Sequence, residues 1–374
     1  MQHLPEVLKI VEGGLRRDAA KVTRYVELLC RKLEAEGDTK SAELLKKAAG
    51  STEAAGLKAA DVGVRAPVPV DAESRVAMAE VLQPTNNVPL VLAPEARAGL
   101  EEFIQAYERR SELLASGLES PGHVLLYGPP GSGKTQTAMM LAGRLGVPLV
   151  TARLDGLISS FLGSTAKNIR ALFEYVDSMP CLLFLDEFDA IAKMRDDPHD
   201  LGELKRVVNS LLQNIDFLPS GVSVIAATNH EHLLDPAVWR RFEFHVHIGV
   251  PDVAGRRALL HLYLPDGHEM LVDVLAAFTR DWTAADIKGL CQSIARHVAL
   301  DHGRPLSLHE ASRLAGLLFA RNGPQEAPSW IDGSVQEQII MLRDLDADIF
   351  TYDVISQIVG VSKGKISGVL SRRA

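Results

Sequence analysis

The sequence predicts an α/β fold, a parallel sheet with crossover helices, followed by an all-α segment and flanked by small helical N- and C-terminal units. Three observations predict it. Between residues 123 and 250, short β-rich runs alternate with helical stretches. A glycine-rich octapeptide stands where the first of those runs meets the first of those helices. From 253 to 320, Ala and Leu then recur at spacings of three and four, helix after helix.

Composition sets the outer bounds. A chain of 374 residues suggests two or three folded units, and 47% hydrophobic with 24% charged residues is globular composition. The longest uninterrupted apolar stretches, such as 181–185, are far too short to cross a bilayer. Glu6, Lys9 and Glu12 break up any apolar secretory leader, so the expected address is cytoplasmic with no membrane partner. Cys30, Cys181 and Cys291 lie far apart among apolar neighbours and read as buried thiols in a reducing compartment. A formal charge of −8 argues against coating nucleic acid along the whole surface, leaving room for a local basic patch.

Residues 1–50 carry helical periodicity. Val22, Tyr25, Val26, Leu29 and Leu33 make one apolar stripe on a helix over 18–36, between shorter helices near 4–11 and 38–50. Residues 51–93 change to Ala, Gly, Val and Pro; Pro67, Pro69, Pro84 and Pro89 exclude long helices there. This reads as a linker with one short strand at 75–82. A helix over 94–116 precedes β-runs at 123–127, 149–151, 181–185, 222–226 and 244–247, so 94–250 forms one α/β domain. Residues 251–322 form a helical segment, and the Gly323-Pro324…Pro328 break sets off 323–374 as a separate short unit. Within it, 352–359 is a short amphipathic helix, Gly360-Val361 a turn, and Ser362 an N-cap for a helix over 363–372.

The chemistry concentrates on the sheet. Gly128-Pro129-Pro130-Gly131-Ser132-Gly133-Lys134-Thr135 fits G-x-x-x-x-G-K-[ST], follows a strand and opens a helix at Gln136. In that context the glycines let backbone N–H groups converge on a phosphate, and the helix N-terminus adds its positive dipole end. Lys134 would reach the β- and γ-phosphates of ATP, and the Thr135 hydroxyl would ligate Mg²⁺. The apolar run 181–185 ends in Asp186-Glu187, an acidic pair at the carboxyl edge of a central strand. Asp186 would hold the Mg²⁺ through water, and Glu187 would orient and polarise the attacking water. The next run ends in Thr228-Asn229, whose amide can contact both γ-phosphate and water. Leu234-Asp235-Pro236-Ala237-Val238-Trp239 then leads into Arg240-Arg241.

Those four elements, in that order and spacing, resemble the AAA proteins of the AAA+ ATPase superfamily over roughly residues 90–320. The resemblance implies a sensor role for Asn229, and arginine fingers at Arg240 and Arg241 that reach a neighbouring subunit's nucleotide in a homo-oligomer, a hexameric ring. It implies that 251–322 is a helical lid whose Thr283-Ala284-Ala285-Asp286 turn brings Ala284 and Ala285 to the nucleotide; no arginine occupies that turn. It also implies a protein substrate, gripped by a pore loop at Phe161-Leu162-Gly163, although Ser164-Thr165 stand where the family often has an acidic residue. A narrower resemblance, over 202–213, is to bacterial AAA ATPases found beside subtilisin-like serine proteases in plasmid-maintenance and phage-defence cassettes. It implies a protease partner; helix periodicity alone accounts for most of those residues.

The segment 352–372 resembles the helix-turn-helix of bacterial regulators and recombinases, which implies DNA contacts from Lys363, Lys365, Arg372 and Arg373. Ser356 departs from that pattern, and a helical hairpin used for protein contacts fits the same residues. Two readings follow. The first is an oligomeric, Mg²⁺-dependent ATPase that remodels or threads a protein. The alternative is a DNA-associated ATPase switch anchored by its C-terminal unit.

Overall fold

The computed structural model describes residues 26, 29–30, 32–33, 41, 68–71, 75–85, 88–117, 122–153, 162–189, 203–218, 222–322 and 333–372. The chain divides into two compact units, Met1–Arg65 and Ala66–Ala374. In the first, Val26, Leu29 and Leu33 of the predicted stripe are helical, and Leu29 and Cys30 are buried. The remainder of the predicted N-terminal helices lies outside the described residues.

The second unit is built on a six-stranded sheet, in the order β1 (Ala79–Leu82), β3 (Leu149–Ala152), β4 (Cys181–Leu185), β5 (Val222–Thr228), β2 (His123–Tyr127), β6 (Phe242–His247). Every neighbouring pair is parallel except β1 with β3. The strand expected at 75–82 is regular only over its last four residues. Arg75 sits at φ 57°, and Asp71 exchanges backbone hydrogen bonds with Arg75 and Val76, so a tight turn feeds β1.

Helices cover both sheet faces. On one side lie α1 (Pro94–Glu108) and α3 (Lys134–Leu145), with α2 (Arg110–Ala115) following α1 in the chain; α4 (Leu162–Asp177) and α5 (Glu203–Asp216) lie on the other. The single helix predicted over 94–116 breaks at Arg109, whose backbone leaves helical geometry at φ −96°, ψ 16°. Strand β4 shows why its sequence is apolar without interruption. Leu183 and Leu185 enter the core under α4 and α5, while Leu182 and Phe184 enter the core under α1 and α3, and all are fully buried. A strand buried on both faces cannot alternate with polar residues. Each such side chain contributes about 1.5–3 kcal/mol by leaving water.

After α6 (Pro236–Trp239) and β6, the chain is helical: α7 (Val253–Tyr263), α8 (Val272–Phe278), α9 (Ala284–Leu300), α10 (Leu308–Asn322), α11 (Val335–Leu345), α12 (Tyr352–Val359) and α13 (Lys363–Ser371). The expected separate unit at 323–374 is corrected here. Leu342, Phe350, Ile355 and Ile366 are buried in the same core as Leu260, Leu275, Ile287 and Leu290, so α11–α13 complete the lid. The Phe278 and Phe350 rings meet at 5.3 Å, and His309 Nδ1 donates to the Ile358 carbonyl at 2.6 Å. Three short helices cannot enclose a core of their own. Their apolar faces are therefore spent on the lid.

Candidate nucleotide site

The glycine-rich loop connects β2 to α3. Gly128 has φ 140°, and a Cβ there would lie 2.2 Å from the Ile248 carbonyl oxygen, so nothing larger fits. At Gly131, φ 75°, a Cβ would meet Thr283 Oγ1 at 2.9 Å and Ala285 Cβ at 3.0 Å. That close approach lets the Ala285 N–H donate to the Gly131 carbonyl at 3.0 Å, which docks the lid on the loop. Thr283 and Asp286 form a reciprocal capping box that fixes this first turn of α9.

Lys134 Nζ donates to the Gly128 and Pro129 carbonyls, both at 2.8 Å, inside the curve of the loop. Burial lowers its pKa, and Asp186 works in the opposite direction. The Thr135 hydroxyl donates to Asp186 Oδ2 at 3.0 Å, so the two residues assigned to a metal by sequence are adjacent. Asp186 Oδ1 accepts from the Glu187 N–H at 2.9 Å. Glu187 itself holds φ 50°, a left-handed conformation that is costly for a residue with a Cβ, and its side chain is exposed. Behind it the buried Asp189 accepts from the Thr228 hydroxyl at 3.1 Å and from the Asn229 N–H at 3.4 Å. Asp189 thereby ties the end of β5 to the turn after β4 and sets the position of Asn229.

These groups surround a cleft of about 390 Å³. Its walls include Pro130, Gly131, Ser132, Gly133, Lys134, Thr135, Gln136, Asp186, Glu187, Asn229, Ala284 and Ala285, all singled out by sequence. Gly128 and Pro129 are not in the lining; they present carbonyls to Lys134. Sequence reasoning missed the rest of the lining, Pro89, Leu90, Val91, Leu259, Tyr263 and Lys288. Only a fold could bring those together. Asp189 was legible as the third acid of the Asp186-Glu187-Phe188-Asp189 run.

The cleft fits a nucleotide and a hard cation. The Ser132 hydroxyl is buried in the loop with no hydrogen-bond partner, an orphan polar atom of the kind a phosphate oxygen satisfies. Thr135 and Asp186 supply the oxygen donors Mg²⁺ takes. Arg240 and Arg241 do not line the cleft. Arg241 donates to Asp216 at 3.2 Å and to the Ala237 carbonyl at 2.7 Å, and Arg240 is exposed at the end of α6.

Of the remaining sequence candidates, Phe161 and Arg373 lie outside the described residues. Leu162 and Gly163 open α4. Lys365 and Arg372 are exposed on or beside α13, and Lys363 pairs with Asp353. The Ser356 hydroxyl donates to the Val361 carbonyl at 2.6 Å, which gives its polarity a task inside the turn. Cys181 and Cys291 are buried thiols, both pushed up to about 12 by desolvation and hence inert.

The sequence profile of the "ATPase family associated with various cellular activities (AAA)" matches residues 124–250, the sheet and loop just described. An uncharacterized AAA family ATPase of Sinorhizobium fredii is 44% identical over 172 residues, covering 46% of this chain and 52% of its own length. Residues 124–250 form an AAA domain. Other relatives include two ATP-dependent zinc metalloproteases FtsH. That of Thermoanaerobacter sp. is 35% identical over 54% of this chain and 35% of the relative. That of Syntrophobacter fumaroxidans is 38% identical over 54% and 33%. The chain thus spans about half the length of the first relative and a third of the others. Its AAA domain is of the ATP-hydrolysing kind. Among the described residues no helix is long and apolar enough to cross a membrane.

Proposed function

We propose that this protein is an oligomeric, Mg²⁺-dependent ATPase that couples hydrolysis to remodelling or threading of a protein substrate in the cytoplasm. The observation that carries the assembly is the place of the arginines: both lie off the cleft of their own chain. Lys134 and the loop N–H groups hold the phosphates. Thr135 and Asp186 would hold Mg²⁺, which would supply charge neutralisation on the phosphate oxygens. Glu187 accepts a hydrogen bond from the attacking water, and Asn229 fixes that water's direction. Arg240 and Arg241 of a neighbouring copy meet the charge that develops on the transferred phosphoryl group.

The choice of a protein substrate rests on two supports. The FtsH relatives are named as ATP-dependent proteases, and their similarity covers more than half of this chain. The likeness to them lies over the ATPase part, and we place any proteolysis with a protease partner. The C-terminal segment 323–374 holds seven carboxylates (Glu326, Asp332, Glu337, Asp344, Asp346, Asp348, Asp353) against five cations (Arg343, Lys363, Lys365, Arg372, Arg373), a poor footprint for a polyanion.

Two variants separate the readings. Phe161→Ala is expected to leave basal ATPase intact and to abolish its stimulation by an unfolded protein. Lys363→Ala/Lys365→Ala is expected to change neither. If instead the lysine changes weaken binding to duplex DNA and flatten its salt dependence, while Phe161→Ala is silent, the protein is a DNA-associated switch and the threading assignment is wrong.

A further inference from the structure

The lid joins the sheet through residues 249–252, and a buried cation sits over that joint. Arg256, one turn into α7, is only 7% exposed. Its exposed neighbour Arg257 pairs with Asp273 at 2.8 Å, whereas no carboxylate among the described residues pairs with Arg256. The Arg256 guanidinium donates instead to two carbonyls, from Nη1 to Pro251 at 3.1 Å and from Nε to Ala276 at 2.8 Å. Pro251 belongs to the joint, and Ala276 to the last turn of α8. Burial lowers the pKa of Arg256, with Asp281 opposing. A charge buried against carbonyls alone costs more than an apolar side chain of similar length. What the guanidinium adds is geometry. Its rigid plane of donors fixes two acceptors relative to one another, and the carbonyl end of a helix favours a cation.

We propose that Arg256 is a positioning residue for ATP hydrolysis: by tying the joint to the end of α8, it sets where the first turn of α9 meets the glycine-rich loop. This rests on the reading of the cleft as an ATP site. Arg256 does not line that cleft, so it acts through α9. The path from Ala276 to the docking turn is short and stiff. The Thr279 N–H and hydroxyl both donate to the Leu275 carbonyl, at 2.9 and 2.7 Å, and the Trp282 N–H donates to the Thr279 carbonyl at 3.1 Å. Thr283 then caps α9, and the Ala285 N–H donates to the Gly131 carbonyl at 3.0 Å. A displacement of the end of α8 is therefore passed to that contact. The joint is packed against the same place from the other side. A cavity of about 30 Å³ is lined by Pro251, Asp252 and Gly255 together with Ser132 of the loop and Ala284 of α9. Loop, joint and docking turn thus meet within one small space, and Arg256 fixes two of the three segments that converge on it.

The test combines residue-resolved hydrogen exchange of the full chain without nucleotide and steady-state ATPase kinetics. Arg256→Met keeps the length of the side chain and removes every donor. Arg256→Lys keeps the charge on a single ammonium that cannot span both carbonyls. In each variant, exchange at the Ala285 amide is expected to accelerate about ten-fold, the loss of one charge-assisted hydrogen bond. Exchange at Ile294, in the middle of α9, should stay unchanged. The KM for ATP should rise by a similar factor, with kcat at saturation kept within about two-fold. Equal acceleration at Ala285 and Ile294 would make Arg256 a stability residue of the lid and overturn the proposal. Unchanged exchange at Ala285 in folded variants would overturn it too, as would full recovery by Arg256→Lys, which would assign the effect to charge alone. If Arg256→Met fails to fold, Arg256→Gln carries the same comparison. A wild-type chain without ATP turnover would overturn the ATP reading, and this role with it. That failure is told apart from the others because exchange at Ala285 needs no nucleotide.

Discussion

His123 shows how a single side chain couples the sheet to pH. It opens β2 at a register shift, and its Nδ1 accepts from the Val224 N–H at 3.1 Å, which requires the neutral ring at that atom. Burial lowers its pKa below the usual 6.5, outweighing the opposing Ile215 carbonyl and Asp216. A group depressed in the folded state binds more protons when unfolded, so its stabilising contribution is whole above pH 6.5 and is lost as pH falls below it. Thermal midpoints should therefore decline from pH 7.5 towards pH 5.5, and His123→Asn, which keeps an acceptor near Val224, should flatten that decline. An equal slope in the variant would place the pH dependence elsewhere. Residue-scale chemistry of this kind was partly legible in the sequence. The loop, Asp186, Glu187 and Asn229 announce themselves because phosphate and metal chemistry admit few residue types at few spacings. Tyr263 and Lys288 do not, because lysine and tyrosine on helices are most often ordinary surface, and only the packing of α7 against α9 turns them into the cleft.

Among the elements, the short helices α11–α13 carry the main lesson. A Gly-Pro-rich break and a self-contained helix–turn–helix pattern both pointed to an independent unit, and the pattern itself is accurate. Gly360 adopts φ 76° at the turn, the Ser362 side chain caps α13, and Ile355 and Ile366 face inward. What local pattern cannot disclose is the other half of the core. Ile366 and Ile355 pack with Leu290 and Phe278 of the lid, more than 60 residues earlier. Consequently Ile366→Ala should cost about 2–5 kcal/mol and lower the unfolding transition of the whole lid, read by hydrogen exchange at α9 as well as α13. Loss of protection confined to α11–α13 would restore the independent unit.

For the molecule as a whole, the sheet order β1-β3-β4-β5-β2-β6 sets the loop after β2 beside the strand ends of β5 and β4, which is why three distant sequence segments share one cleft. Sequence foretold that convergence, since alternating strands and helices leave few right-handed solutions. It did not foretell the antiparallel β1, a short edge strand that a tight turn creates. On the proposed reading the active centre draws on two copies, since Arg240 and Arg241 lie outside the cleft they are proposed to serve. The most direct test mixes two inactive proteins, Lys134→Ala, which cannot hold nucleotide but keeps its arginines, and Arg240→Ala/Arg241→Ala, which holds nucleotide but lacks them. Each alone should hydrolyse ATP at less than about 1% of the wild-type rate, whereas the mixture should recover a substantial fraction, rising with total concentration as wild-type turnover per chain also should. A mixture that assembles yet stays inactive, beside a wild-type rate per chain that is flat with concentration, would contradict catalysis completed by a neighbour.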